Sequence, residues 1–232
     1  MNTNKKIISF ALFGKKSMYL NGALENAKLA QKFYPGWICR FYVGQDTDMN
    51  IILKLSNFSN VEIEFQRGPS DFKSQWVRME VVLDSDVERF LIRDADSRIN
   101  KREAAAVEAW EKSGKPFHIM RDHNRHTAPI MGGMWGAVRG FIPASQFEEL
   151  YDNAIRFVRS GKSKRKKYYK ANGFSDQGFL GNDIFPLIKG NYLAHDDKKR
   201  YSKTEKTFPV KLQAGLFVGQ QFTGDNKPIK IK

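Results

Sequence analysis

"RFLIRDADSRIN", residues 89–100, decides how this chain is read. A short apolar run, Arg89 to Arg93, enters Asp94-Ala95-Asp96 directly, with Arg93 and Arg98 on either side. Upstream, "KIISFALF" (6–13), "WICRFYVG" (37–44) and "VEIEF" (61–65) have the apolar, β-branched and aromatic character of strands. Between them lie stretches of helical spacing. Leu20, Ala23, Leu24, Ala27, Ala30 and Phe33 recur on one face until Pro35-Gly36 stops the run, and "DMNIILKLSN" (48–57) and "KSQWVRMEVVLDS" (73–85) read as two more helices. Strands alternating with helices of this length predict an α/β domain with a mostly parallel sheet and helices on both faces. Ligands of such sheets bind at the carboxyl ends of the strands, and Asp94 and Asp96 stand at such an end.

Beyond that turn the pattern continues with helix "REAAAVEAWEKSG" (102–114), strand "FHIMRD" (117–122), a glycine-rich loop "PIMGGMWGAVRG" (129–140) and helix "ASQFEELYDNAIRFVRSG" (144–161). No repeat or linker divides the 232 residues, so one domain over 1–232 is expected. The formal charge of +14 implies anionic partners without choosing among nucleic acid, lipid, glycan and phosphate compounds. Cys39 stands alone, which rules out an intrachain disulfide and suits a reducing compartment. The amino-terminal apolar run is too short for a signal peptide and meets lysines at once, and no stretch is long enough to span a bilayer. The expectation is a cytoplasmic protein, in the host cytoplasm if the source is viral.

In an extended segment Asp94 and Asp96 point the same way and Ala95 points away. Two carboxylates on one side suit Mg²⁺ or Mn²⁺, which keep coordination positions for phosphate oxygens and water. The same spacing in "DTD" (46–48) and "DSD" (84–86) reads as a loop or helix cap. Arg93 and Arg98 have two readings, pairing with the carboxylates or gripping phosphate oxygens.

"FLIRDADSRIN", "AVEAWEKSGKPFHIMRDH", "APIMGGMWG", "FSDQGFL" and "AHDD" follow one another as in the small nucleotide-sugar glycosyltransferases of the GT-A fold. The set resembles in particular the capsule-type and large-DNA-virus, chlorovirus-like sugar transferases, over roughly residues 5 to 220. The resemblance implies a hexosyl- or pentosyltransferase using a UDP- or GDP-linked sugar donor and a glycan or glycoprotein acceptor, with Asp94 and Asp96 holding Mn²⁺ or Mg²⁺. It implies His195 as a further metal ligand, with Asp196 as the substitute and an ordinary hydrogen-bonded histidine as the plain reading. Asp176 and Gln177 resemble an Asp-Gln pair near the acceptor and the anomeric carbon; they also suit a helix cap. In an inverting enzyme Asp176 or Asp122 would take the acceptor proton.

The donor site is expected to draw on Ala11, Phe13, Arg78, Arg93, Asp94, Ala95, Asp96, Gly132, Gly133 and Gln177. Ala11 and Phe13 lie at the first strand's end. Arg78 either reaches the diphosphate or sugar or is structural. The glycines allow close backbone approach, and Trp135 offers a flat face to a sugar or packs in the core. "GKSKRKKYYK" (161–170) reads as a solvated loop, with attraction of its 162–170 stretch to an acceptor or an anionic surface as the second reading and single-strand nucleic-acid contact through its interleaved tyrosines as the third. The competing class is a basic nucleic-acid-binding protein or a nuclease built on Asp122, His123 and His126. A carbohydrate-binding relative without turnover is the third.

Overall fold

The computed structural model describes residues 4–67, 74–160, 176–211 and 215–230; the basic run 162–170 lies outside them. Seven strands form one sheet: β1 (Lys5–Leu12), β2 (Ile38–Val43), β3 (Val61–Phe65), β4 (Val87–Arg93), β5 (Phe117–Arg121), β6 (Met134–Val138) and β7 (Tyr192–Asp196). Their order is β3-β2-β1-β4-β6-β5-β7. β1 to β4 are parallel, β6 runs against both β4 and β5, and β5 and β7 are parallel. All strands but β6 therefore end on the same rim.

Continuous apolar strands need cover on both faces, and they have it. Ile7, Phe90, Ile92, Phe117 and Trp135 pack in one layer; Ile8, Phe10, Phe41 and Leu91 pack in the other. The second layer is closed by α1 (Ser17–Phe33), which contributes Leu20, Ala23, Ala27 and Ala30, and by α3 (Lys101–Ser113) through Val107 and Trp110. α2 (Met49–Ser56) is capped by Asp48, whose carboxylate accepts from Asn50 N at 2.8 Å. α3 is capped by Asn100, which accepts from Glu103 N at 3.0 Å, and Gly114 ends it at φ 68°. The first layer is closed by α4 (Ala144–Ser160), the short α5 (Asp176–Phe179) and the π-type turn Leu180–Ile184.

Two elements differ from the sequence reading. The predicted helix 73–85 is a 3-10 helix, Val77–Leu83, in which Val77, Val81 and Val82 disfavour a regular α-helix. The glycine-rich 129–140 is not all loop, because β6 occupies Met134–Val138 in the middle of the sheet. Glycine is required there. A Cβ on Gly136 would stand 2.6 Å from both the Phe90 carbonyl and the Leu91 side chain.

Candidate active site

The Asp94-Ala95-Asp96 segment leaves β4 as a tight turn, not as the extended strand expected, since Ser97 donates to the Asp94 carbonyl from its N–H at 3.1 Å and its hydroxyl at 2.8 Å. Helix α1 braces the turn from behind. Buried Asn26 donates to the Ser97 carbonyl at 2.9 Å and accepts from Ile99 N at 3.0 Å. Gly22 lets the helix come this near, because a Cβ there would lie 2.0 Å from the Ala95 carbonyl oxygen. The turn is thus held by backbone and amide groups, which leaves both carboxylates to the cavity in front.

That cavity measures about 360 Å³ and opens at the carboxyl rim. Ala11 and Phe13 from the end of β1, Asp94, Ala95 and Asp96 from β4, and Asp176 and Gln177 from α5 all line it, with Gly132 and Arg78 between them. Phe13 is seated against Gly44, where a Cβ would meet the ring at 2.1 Å. Gly132 and Gly133 do serve close approach, but to carboxylates: a Cβ would stand 2.6 Å from Asp176 Oδ2 in the first case and 2.1 Å from Asp94 Oδ2 in the second.

Arg78 is the hub. Its Nη1 donates to Asp94 Oδ1 and, at 3.1 Å, to the Arg93 carbonyl, while Nη2 donates to Asp176 Oδ2 at 2.7 Å. Burial works against the guanidinium charge, and the two carboxylates more than offset it, so Arg78 stays protonated. Burial raises Asp176, with Arg78 opposing. Asp96 is pushed up to about 6 by burial and by the neighbouring charge of Asp94, against a bond from Gln221 and the charge of Arg78. Among the described lining residues Arg78 is the one cation, against three carboxylates.

Several expected site residues are elsewhere. Arg93 is 2% exposed and spends its guanidinium on Glu103 at 2.5 Å and on the carbonyls of Ile92 and Trp135. Arg98 binds Asn226 at 2.8 and 3.0 Å and lies over the Phe222 ring. Asp122 accepts from Arg102 at 2.6 and 2.9 Å and from Val218 N at 2.9 Å, and it does not line the cavity. His195 is buried against His118, Nδ1 to Nε2 at 2.9 Å, and burial lowers it to about 4; it does not line the cavity. Asp196 is fully buried on Arg121. Trp135 is a core residue, stacked on Phe117 at 5.2 Å.

The His123 and His126 loop is likewise structural. His126 accepts from Asp122 N at 3.0 Å, and His123 stacks on Phe217 at 4.4 Å. Among the described residues no three His, Cys, Asp or Glu side chains gather as a metal-binding group.

Four lining residues, Tyr19, Ser74, Gln75 and Gln221, escaped the sequence reading. Tyr19, in the first turn of α1, borders the cavity, and burial with the charges of Asp96 and Asp94 raises its hydroxyl. The rule that ligands meet strand ends would have found it, since α1 starts just after β1. Gln75 lies one turn before Arg78. Gln221 comes from the irregular carboxyl-terminal segment, which no periodicity marks. Its Nε2 donates to Asp96 Oδ2 at 2.8 Å, and the neighbouring Phe222 N donates to the Asp96 carbonyl at 2.9 Å.

No protein-family model and no curated protein sequence matches the chain. Solved structures do. Galactosyltransferase LgtC, in complex with donor and acceptor sugar analogues, superposes with a TM-score of 0.51 at 11% identity, over 82% of this chain and 73% of that one. An active-site mutant of LgtC, glutamine to glutamate, superposes with a TM-score of 0.52 at 11% identity, over 88% of this chain and 85% of that one. The fold is that of the GT-A glycosyltransferases. At this identity the likeness is one of fold, and the chemistry rests on the cavity.

Proposed function

We propose that this chain is a metal-dependent glycosyltransferase moving a hexosyl or pentosyl group from a UDP- or GDP-linked donor to a glycan or glycoprotein acceptor. The observation that carries the reading is the charge of the cavity. Among the described residues, three carboxylates and one guanidinium leave two formal negative charges in a pocket of about 360 Å³, a poor host for a diphosphate alone. It suits a diphosphate that arrives with a divalent cation. Asp94 and Asp96, with the amide of Gln221 beside them, are the oxygen groups that would hold Mn²⁺ or Mg²⁺, which prefer such ligands. Bound there, the cation would act as a Lewis acid on the leaving diphosphate.

The chain's own groups supply the rest. Arg78 fixes Asp94 and Asp176 relative to one another, so the carboxylate facing the cation and the carboxylate facing the sugar are set as one unit. Asp176 is the cavity carboxylate suited to accept an acceptor hydroxyl's proton, because burial favours its protonated form. Tyr19, Gln177 and Gln221 offer hydroxyl and amide groups to a sugar or ribose. An active-site glutamine is also what the LgtC mutant alters. The nucleic-acid reading is weaker, since the same negative cavity repels a phosphodiester and the histidines of the competing nuclease site are bonded into the structure.

Thermal unfolding with a panel of nucleoside diphosphates and their sugars, with and without Mn²⁺, tests the proposal. Ligand bound only to the native state raises the midpoint by mass action. A shift that needs nucleotide and metal together, and that Asp94→Ala abolishes, is expected. A shift with oligonucleotide and none with any nucleotide would overturn it; donor binding without turnover would identify a carbohydrate-binding relative.

A further inference from the structure

We infer that the outer edge of the sheet beyond β7 docks on an anionic lipid bilayer. β7 is an edge strand, and the chain that follows it doubles back along its outside, with Lys206 N donating to the Ala194 carbonyl and Asp196 N to the Lys206 carbonyl, both at 2.9 Å. This return carries Lys198, Lys199, Lys203 and Lys206, all exposed, and Lys189 is exposed on the approach to β7. Among the described residues none of these five ammonium groups has a carboxylate partner; Lys198 meets Asp196 Oδ1 only through its backbone N–H, at 2.8 Å. The acids of the same stretch are already used. Asp196 and Glu205 are buried on Arg121, and Asp197 pairs with Arg102.

Apolar groups stand among the lysines. Leu187 is 42% exposed and Tyr201 39%, and the ring of Phe185, two residues before Leu187, lies 5.9 Å from that of Tyr201. A soluble polyanion would satisfy the lysines and leave Leu187 in water. A bilayer takes both, since lysine chains reach the headgroups while an aliphatic side chain enters the interfacial layer and a tyrosine sits at its level. The surface is also firm, because Tyr201 covers the Arg121 guanidinium at 4.7 Å and Arg200 is tied to the carbonyls of His123 and Asn124 at 3.2 and 3.3 Å.

The placement has a consequence for the cavity. β7 runs parallel to β5 and so ends on the rim where β4 delivers Asp94. Three strand spacings, roughly 14 Å, separate the two strands. Docking through Lys198 and Lys199 therefore brings the cavity mouth close to the bilayer, where a lipid-borne acceptor would present its glycan. The docking itself is independent of the proposed reaction and is measured without any donor.

Co-sedimentation of the full chain with phosphatidylcholine vesicles, with and without phosphatidylglycerol, tests it. Wild type is expected to sediment with the anionic vesicles only. The triple variant Lys198→Ala, Lys199→Ala, Lys203→Ala should bind them on the order of a hundredfold more weakly. A control triple, Lys16→Ala, Lys32→Ala, Lys54→Ala, removes the same charge elsewhere and should change binding several-fold less. Leu187→Gln, which adds no charge, should weaken vesicle binding while leaving retention on a heparin column unchanged. Equal losses in the two triples would assign the attraction to the overall charge of +14 and overturn the site. So would no binding to anionic vesicles, or vesicle binding indifferent to Leu187→Gln. The circular dichroism spectrum of each variant separates loss of binding from loss of fold.

Discussion

At the residue scale, the cavity is a contest between a buried guanidinium and three acids. Arg78→Met leaves Asp176, 5% exposed, without its counter-ion. Breaking such a pair costs about 3–5 kcal/mol, and at this chain length each kcal/mol moves the midpoint by roughly 2–4 °C. A fall of about 10 °C is expected for Arg78→Met by thermal unfolding, and adding Asp176→Asn should recover part of it. No recovery would mean that Arg78 stabilises by packing alone. Gly133→Ala is a sharper probe of function, since the added methyl meets Asp94 Oδ2 at 2.1 Å. Its metal-dependent nucleotide affinity should drop by tenfold or more while the circular dichroism spectrum is kept; unchanged affinity would release Asp94 from the role proposed for it. The sequence announced the acids at the strand end and glycines made for close approach, but not that the carboxylates of Asp176 and Asp94 are what Gly132 and Gly133 approach. It could not announce Arg93, whose partner Glu103 lies on the next helix, or Asp122, whose partners Arg102 and Val218 N meet it only when distant segments fold together. An isolated charged residue looks the same in a sequence whether its counter-charge is a ligand or a neighbour.

At the element scale, β5 and β7 are joined by a pair of neutral histidines. His118 is fully buried, stacks on Trp110 at 5.3 Å and meets His195 at 2.9 Å. Burial holds His118 well below the ordinary histidine range and His195 down to about 4. The unfolded chain, with ordinary histidines near 6.5, therefore binds more protons than the folded chain between about pH 6.5 and 4. Stability should be full above 6.5 and fall as pH drops through that window, by about 3 kcal/mol from His195 alone at 1.36 kcal/mol per unit. Urea unfolding at pH 7.5, 5.5 and 4.5 reads the effect, and His195→Gln should flatten the slope. An unchanged slope would place the acid sensitivity in the carboxylates. The same elements show what patterning can and cannot reveal. β1, β2, β3 and β4 were legible because apolar runs alternate with helical spacing. β6 was hidden because a strand with neighbours on both sides can use Gly136 where a side chain would collide with Leu91, and glycine in a sequence signals a loop. His195 was placed correctly at a strand end, yet β7 turns it toward His118 and not toward the cavity.

At the scale of the whole molecule, a chain of net charge +14 carries a cavity whose described lining residues are net negative. The two fields act over different distances. The outer field attracts any nucleotide and is screened by salt, with a Debye length of about 30 Å at 0.01 M and about 8 Å at physiological ionic strength. The repulsion between the cavity carboxylates and a diphosphate acts within a few ångströms and is screened much less. Low salt should therefore partly mask the need for a cation, and physiological salt should expose it. The ratio of nucleoside diphosphate affinity with Mn²⁺ to affinity in EDTA is expected to rise as ionic strength goes from 0.01 to 0.15 M, measured by titration calorimetry on the wild-type chain. Asp94→Asn removes one of the cavity charges, so it should bind nucleotide better than wild type in EDTA and worse with Mn²⁺. If both proteins gave the same ratio at both salts, the cavity charge would not control donor binding, and the cation would have to act at some other place on the chain.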